Sequence, residues 1–251
     1  MFTSIRKYID FNSINSSVKY LSISAFLTGI ALGYFFTVIV ITQKLSGYSE
    51  STIGIVASSF SLGLVAAGFF VSKILAKIGL YKMLLLSVSI QIVSVLAIFI
   101  YFNPINLALC HLIMGIMGGM NWMTMDTWVN IVSNDKNRGK AIGLYNSSIS
   151  IGFAVGPLIV ALFGSQGLIP IILCLLLMII RMPALYIIKN HINNVKIPEQ
   201  INKINFSLVK IAPFIFIAIF IGGINDSSFG ALFPAFMINE QFTDRSIGFY
   251  F

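Results

Sequence analysis

The chain has 251 residues, of which 57% are hydrophobic and only 10% are charged, and its mean hydropathy is +0.93. One soluble core of this size cannot bury so much apolar surface, which excludes an ordinary water-soluble protein and leaves the surplus facing lipid. The formal charge is +8, but the basic residues are dispersed among loops, so no nucleic-acid-binding patch is expected.

Seven runs of the sequence are long and apolar enough to cross a bilayer as helices. About twenty apolar residues span the roughly 30 Å hydrocarbon layer, where a helix satisfies its own backbone N–H and C=O groups. The first run is too long for a signal-peptide core and has no small-residue cleavage site after it, so we expect it to remain as an anchor. We therefore predict an all-α integral membrane protein with spans at 18–43, 52–75, 82–102, 105–130, 139–163, 168–190 and 209–238, followed by the start of another run at 246–251.

Basic residues alternate across these spans. The odd-numbered connections between them contain only Lys44 and Arg245. By the positive-inside rule, the N-terminus and the even-numbered connections are cytoplasmic, which predicts a protein of the cytoplasmic (inner) membrane with its N-terminus inside. The basic residues on that side are Arg6, Lys7, Lys19, Lys73, Lys77, Lys82, Lys136, Arg138, Lys140, Lys189, Lys196, Lys203 and Lys210.

The lengths of the connections predict two bundles. Short outer connections force antiparallel neighbours, so residues 1–190 are expected to form a six-helix bundle. Residues 191–208 are polar and read as a cytoplasmic linker, and residues 209–251 read as one span and the beginning of the next. We expect the chain to be truncated before a second bundle is complete.

No feature of the sequence points to catalysis. Cys110 and Cys174 both fall inside predicted spans, so neither a disulfide framework nor a metal site is supported. There is no pairing of a nucleophile with a base and no phosphate-binding glycine loop. We expect no enzyme activity, no cofactor and no metal.

The fifth predicted span carries the spacing G-x8-G-x3-G-P. It resembles the fifth-helix signature of antiporters of the major facilitator superfamily, although Val160 and Ala161 stand where that pattern continues with two further glycines. Glycines give a smooth face to a neighbouring helix, and the proline removes a backbone hydrogen bond and kinks the helix. The four residues of this helix-packing motif are Gly143, Gly152, Gly156 and Pro157.

The second connection resembles the cytoplasmic loop of the same family, G-x-L-a-D-R-x-G-R-R. Lys77, Gly79 and Lys82 keep its basic and turn character, while Ser72 replaces its first glycine and Ala76 its acidic residue. The ion-pair latch that the family assigns to that acidic residue therefore cannot form here in the family's way.

The fourth span and the connection after it extend the resemblance. Leu107-x3-His111-x3-Gly115 is similar to the family's L-x3-R-x3-G, with His111 in the place of an arginine that is linked to proton coupling. Asp126 and Arg138 resemble an acidic residue and an Arg-Gly pair that many members carry at the fourth connection.

This resemblance implies a secondary transporter of a small molecule that works by alternating access. The fifth-helix signature implies proton coupling and favours export over import. The implied partners are the lipid bilayer, the substrate and protons. The alternative is a truncated, transport-inactive fragment, or a half-transporter that needs a second polypeptide to supply the missing helices.

Ionisable side chains within spans usually have a functional or structural role, because inserting a charge at the centre of a span costs at least about 2.5–3.5 kcal/mol of free energy. Histidine changes charge near neutral pH, so His111 is a candidate proton-coupling group; the alternative is a neutral histidine bonded to a neighbouring helix. Asp226 lies in a polar, glycine-rich stretch, as in helices that unwind beside a binding site. It is either a proton or cation group or a carboxylate held by serine or helix-terminus hydrogen bonds.

Arg181 and Asp126 lie on the cytoplasmic side of the midplane. Arg181 could contact an anionic substrate, or it could snorkel toward the inner interface beside the break at Pro183. For Asp126 and Arg138 we predict an ion pair that helps close the cytoplasmic side, with Lys77 as a further gating candidate. Ordinary interfacial solvation of Asp126 is the alternative.

Overall fold

The computed structural model describes residues 16–192, 211 and 213–250, and every regular element in these residues is a helix. The first five spans are single helices, the sixth consists of two shorter ones, and the seventh is again single. The helices are α1 (Ser16–Leu45), α2 (Glu50–Ile78), α3 (Leu80–Ile100), α4 (Pro104–Val132), α5 (Arg138–Phe163), α6 (Leu168–Ile179), α7 (Arg181–Ile192), α8 (Pro213–Asn239) and α9 (Asp244–Tyr250).

The predicted spans are confirmed. Within the described residues, seven helical segments are long and apolar enough to cross a membrane. Their ends lie within two or three residues of the predicted ends in the first five spans. The predicted start of the seventh span at residue 209 lies outside the described residues, and α9 begins at Asp244, two residues before the predicted start.

Local signals explain where the helices begin and turn. The side chain of Ser49 accepts a hydrogen bond from the Thr52 N–H at the start of α2, and Asn103 caps α4 in the same way through the Asn106 N–H. Between α2 and α3 the chain turns at Gly79, whose φ of +82° suits glycine. These caps satisfy backbone groups that a helix leaves unpaired at its ends.

The sixth span is broken next to Arg181. Helix α6 ends at Ile179 and α7 begins at Arg181. Pro183 lies in the first turn of α7, where it has no N–H to donate to the preceding turn. The break that the sequence predicted at this proline is therefore present, and it lets the chain change direction beside the arginine.

Two pairs of helices cross through glycines. A Cβ on Gly156 of α5 would lie 2.7 Å from the backbone carbonyl carbon of Gly33 in α1, and a Cβ on Gly152 would lie 3.0 Å from the Cα of Gly29. In the second pair, a Cβ on Gly115 of α4 would lie 3.0 Å from the Cα of Gly63 in α2. No side chain fits at these crossings, so glycine there lets the helix backbones approach closely.

Gly143 departs from the packing motif. A Cβ built on it would meet no atom within 4 Å, so in this structure Gly143 does not pack against another helix. It lies in the N-terminal third of α5, nine residues before Gly152. Equal spacing along a sequence does not guarantee an equal environment, because crossing helices diverge away from their point of contact.

The domain boundaries predicted from sequence fall partly outside the described residues. Residues 1–15 and 193–210, which include most of the predicted linker, are not described. Residues 191 and 192 are the end of helix α7 and not linker. Within the described part, α8 is little covered, since only 7% of its most apolar stretch is buried.

Candidate functional site

A cavity of about 60 Å³ lies among helices α1 to α5. By the measure in which one water needs about 10–15 Å³, it has room for a handful of atoms. Its walls are mainly apolar, from residues such as Phe36, Phe60, Trp122 and Phe153. Its polar lining residues are Thr28, Gln91, Asn121 and Tyr145.

Arg181 is buried behind this cavity. Its side chain is 1% exposed, and its Nη1 donates a hydrogen bond of 2.8 Å to Oε1 of Gln91. A second contact, 3.5 Å long, joins Nη1 to the Met178 sulfur, while Nε and Nη2 have no hydrogen-bond partner. The snorkelling alternative is wrong for this structure, because Gln91 and α6 enclose the guanidinium instead of leaving it at the interface.

Gln91 connects Arg181 to the cavity, because it bonds to the guanidinium and also lines the cavity. Arginine has only donors, so the group that Gln91 turns toward Arg181 must be its carbonyl oxygen. The amide nitrogen has no hydrogen-bond partner, although the side chain is fully buried. Gly118 leaves room for it: a Cβ there would lie 3.5 Å from Gln91 Nε2.

His111 lies outside the cavity lining. It is 2% exposed, and its Nδ1 is 2.8 Å from the carbonyl oxygen of Leu107 one turn earlier. Its ring packs beside those of Phe35 and Phe36, with centroids 5.6 and 6.5 Å away. Gly118, Trp122 and Met125 of the same helix line the cavity, and His111 is packed two turns before Gly118.

The predicted ion pair between Asp126 and Arg138 is absent from this structure. Arg138 pairs instead with Asp135 at 3.0 Å, because the two lie one turn apart at the start of α5. The Asp126 carboxylate interacts electrostatically with the Tyr145 phenol, which has no hydrogen bond of standard geometry. Lys77 is exposed and forms no ion pair with any carboxylate of the described residues.

Asp226 lies in the middle of α8, and its side chain is outside the described residues. The helix is continuous from Pro213 to Asn239, so the unwinding expected around Gly222 and Gly223 is not present here.

The outer side, by the predicted orientation, is where α8 and α9 contact the first six spans. Glu50 pairs with Lys44 and also accepts a hydrogen bond of 2.9 Å from Nδ2 of Asn239, at the end of α8. Asp244 Oδ2 accepts from the backbone N–H of Ser165 at 2.8 Å and from its hydroxyl at 3.0 Å. These bonds tie the end of α8 and the start of α9 to the start of α2 and to the connection between α5 and α6.

Close backbone packing adds to these bonds. A Cβ on Gly248 of α9 would lie 2.6 Å from the carbonyl oxygen of Pro157 and 2.5 Å from the backbone nitrogen of Ala161, both in α5. Val160 and Ala161 of α5 replace two glycines of the family pattern. The glycine that allows close packing at this place is therefore Gly248 of α9.

Comparisons with known proteins decide the family. A family model described as the Major Facilitator Superfamily matches residues 21–251. The chain belongs to this superfamily. A Bacillus subtilis (strain 168) relative, described as the uncharacterized MFS-type transporter YfkF, is 30% identical over 147 residues, which are 58% of this chain and 37% of YfkF.

A solved member of the superfamily has the same helical arrangement. The crystal structure of the nucleoside transporter NupG matches with a TM-score of 0.63 and 16% sequence identity, over 83% of this chain and 55% of that one. At this identity the match establishes the fold. The chain thus spans about a third to a half of the length of these superfamily relatives.

Sequence reasoning missed several residues of the cavity wall and of the outer contacts. Gln91 is the one strongly polar side chain in the apolar run of α3, and Asn121 follows the packing glycines of α4. An amide in the middle of a span was an available signal, since it needs hydrogen-bond partners that lipid does not supply. Glu50, Asn239 and Asp244 gave no such signal, because polar residues at helix ends are ordinary.

Proposed function

We propose that the chain forms part of a secondary active transporter that carries a small molecule across the cytoplasmic membrane by alternating access. In this proposal, residues 1–190 are one bundle, 191–208 the linker and 209–251 the start of the second bundle. The observation that carries the proposal is the cavity lined by five helices of the first bundle, with buried, unpaired amide groups of Gln91 and Asn121 in its wall. Membership of a transporter superfamily supports it.

Proton coupling and export are the finer parts of the proposal. The fifth-helix motif, the location of Asp226 within a span and the histidine at position 111 support coupling. Asp126, Arg138 and Lys77 remain candidates for closing the cytoplasmic side in another state of the cycle. The contacts of Glu50 and Asp244 on the outer side are compatible with a state in which that side is closed and the ion pair of the inner side is open.

A second candidate function is that of a half-transporter that works only with further helices, supplied by the same or a second polypeptide. The observation in its favour is the exposure of α8, whose Phe214 is 83% and Phe220 69% exposed. Lipid could cover some of this surface, but alternating access requires two bundles around one site.

Transport in proteoliposomes tests these proposals. The chain and a version extended by a second six-helix half are reconstituted separately, and labelled sugars, nucleosides, carboxylates and cationic dyes are offered with and without a pH gradient. We expect at least one class to move faster than through empty liposomes, with a rate that falls when a protonophore collapses the gradient. Activity of the extended version alone identifies the half-transporter, and no movement by either version contradicts the transporter proposal.

A further inference from the structure

Two of the polar residues that line the cavity, Gln91 and Asn121, carry buried amides. Gln91 is fully buried and Asn121 is 3% exposed, and each has an amide nitrogen without a hydrogen-bond partner. Both nitrogens are donors. A buried donor without a partner costs free energy, so a ligand that brings only acceptors into this cavity gains more than one that brings donors as well.

The positive charge of Arg181, which bonds to Gln91, also favours a ligand that is an acceptor and negatively charged. Arg181 carries a guanidinium whose Nε and Nη2 are also unpaired, and no carboxylate of the described residues forms an ion pair with it. A buried cation usually has an anionic partner, because removing its hydration costs several kcal/mol. Its bond occupies the Gln91 oxygen and leaves the amide nitrogen of this cavity-lining residue without a partner. Arg181 thus acts as a positioning residue and as the source of positive potential.

The apolar residues of the cavity determine where the uncharged part of a ligand lies. The remaining wall includes Phe36, Phe60 and Trp122, and Trp122 is 47% exposed, so an apolar group can lie along it. The site is built for a compact acidic head attached to an apolar body.

We propose that the transported substrate is an organic anion, whose carboxylate or similar acidic group binds between the amides of Gln91 and Asn121 under the positive potential of Arg181. This rests on the proposed transport function and adds the substrate class. Arg181 does not touch the substrate directly; it orients Gln91 and lowers the cost of the negative charge.

Equilibrium binding to the purified chain in detergent tests the substrate class without requiring transport. The probes are trifluoroacetate and trifluoroacetamide, which have nearly the same shape and differ in charge and in the amide donors. Fluorine NMR line broadening, corrected for empty micelles, gives the affinity of each. We expect the anion to bind at least about tenfold more tightly than the amide, since hydrogen bonds to a charged group are the stronger ones.

Substitutions at Gln91 separate this proposal from a merely structural role. Gln91→Glu gives Arg181 a carboxylate partner in the same place, so we expect thermal stability to be kept or raised while the preference for trifluoroacetate is lost. Arg181→Lys keeps the charge and should keep a reduced preference. Ser94→Ala is the matched control one turn further along α3, because its hydroxyl bonds to the Ile90 carbonyl and does not line the cavity.

Equal affinity for the two probes, no saturable binding of trifluoroacetate, or an unchanged preference in Gln91→Glu would each overturn the proposal. Its failure is distinguishable from failure of the transport function. Anion-selective binding without any transport would support the anion site and contradict the transport function. Transport limited to neutral or cationic compounds would support the transport function and contradict the anion site.

Discussion

Gly156→Leu should prevent the close crossing of α1 and α5 and destabilise the protein more than any substitution in the cavity. A Cβ at this position already lies within 3 Å of the backbone of Gly33, and a leucine side chain would force the two helices apart. Overpacking costs typically about 1–3 kcal/mol even where side chains can adjust, so we expect at least about 3 kcal/mol where backbone must move. For a chain of this size that lowers the melting temperature by about 6–12 °C.

Gly143→Leu is the matched control in the same helix. A Cβ on Gly143 meets nothing within 4 Å, so the same change should leave the melting temperature almost unaffected. Thermal unfolding of the two purified variants in the same detergent, followed by circular dichroism, makes the comparison. Similar melting temperatures for the two variants would show that the glycine contact between α1 and α5 is not what holds these helices together.

Asp226→Asn should abolish transport driven by a pH gradient. A carboxylate within a span is costly, and a group that takes up and releases a proton there can link proton movement to the change of state. The asparagine keeps the size of the side chain and removes its proton exchange. We expect gradient-driven flux to fall to the level of empty liposomes, while exchange of substrate without a gradient continues.

Glu240→Gln is the control for this experiment. Glu240 is an exposed carboxylate just beyond the end of α8, so its neutralisation should leave coupling intact. Gradient-driven flux that survives in Asp226→Asn would remove Asp226 from the coupling mechanism. His111→Ala in the same assay distinguishes the two interpretations of the histidine, since a neutral, packed imidazole can be replaced without loss of coupling.

The sequence was sufficient for the spans, their likeness to the superfamily and the crossing glycines. Each depends on information carried by a short segment: about twenty apolar residues for a span, and the spacing of Gly152 and Gly156 for a crossing. The exception, Gly143, shows the limit. Whether a glycine meets a neighbouring helix depends on how far it lies from the crossing point, which one segment does not record.

The site was harder to predict, because it depends on how each helix is rotated about its axis. His111 and Trp122 lie in the same helix, yet only Trp122 lines the cavity. Arg181 was recognised as a charged residue within a span, but its partner Gln91 is 90 residues away in the sequence. Asp126 and Arg138 are close in sequence and conform to a family pattern, but Asp135 lies only three residues before the arginine and pairs with it instead.

The proposed transport function depends on a chain that spans the membrane with its even-numbered connections in the cytoplasm. Site-specific labelling tests this topology most directly. Cys110 and Cys174 are buried, so single cysteines at Lys136 and Ser46 can be read against a low background. In right-side-out vesicles, a maleimide that cannot cross membranes should label Ser46→Cys and leave Lys136→Cys unlabelled until the membrane is opened. Labelling of both from the same side, or of Lys136→Cys from outside alone, would contradict the topology on which the cavity, the gates and the transport proposal depend.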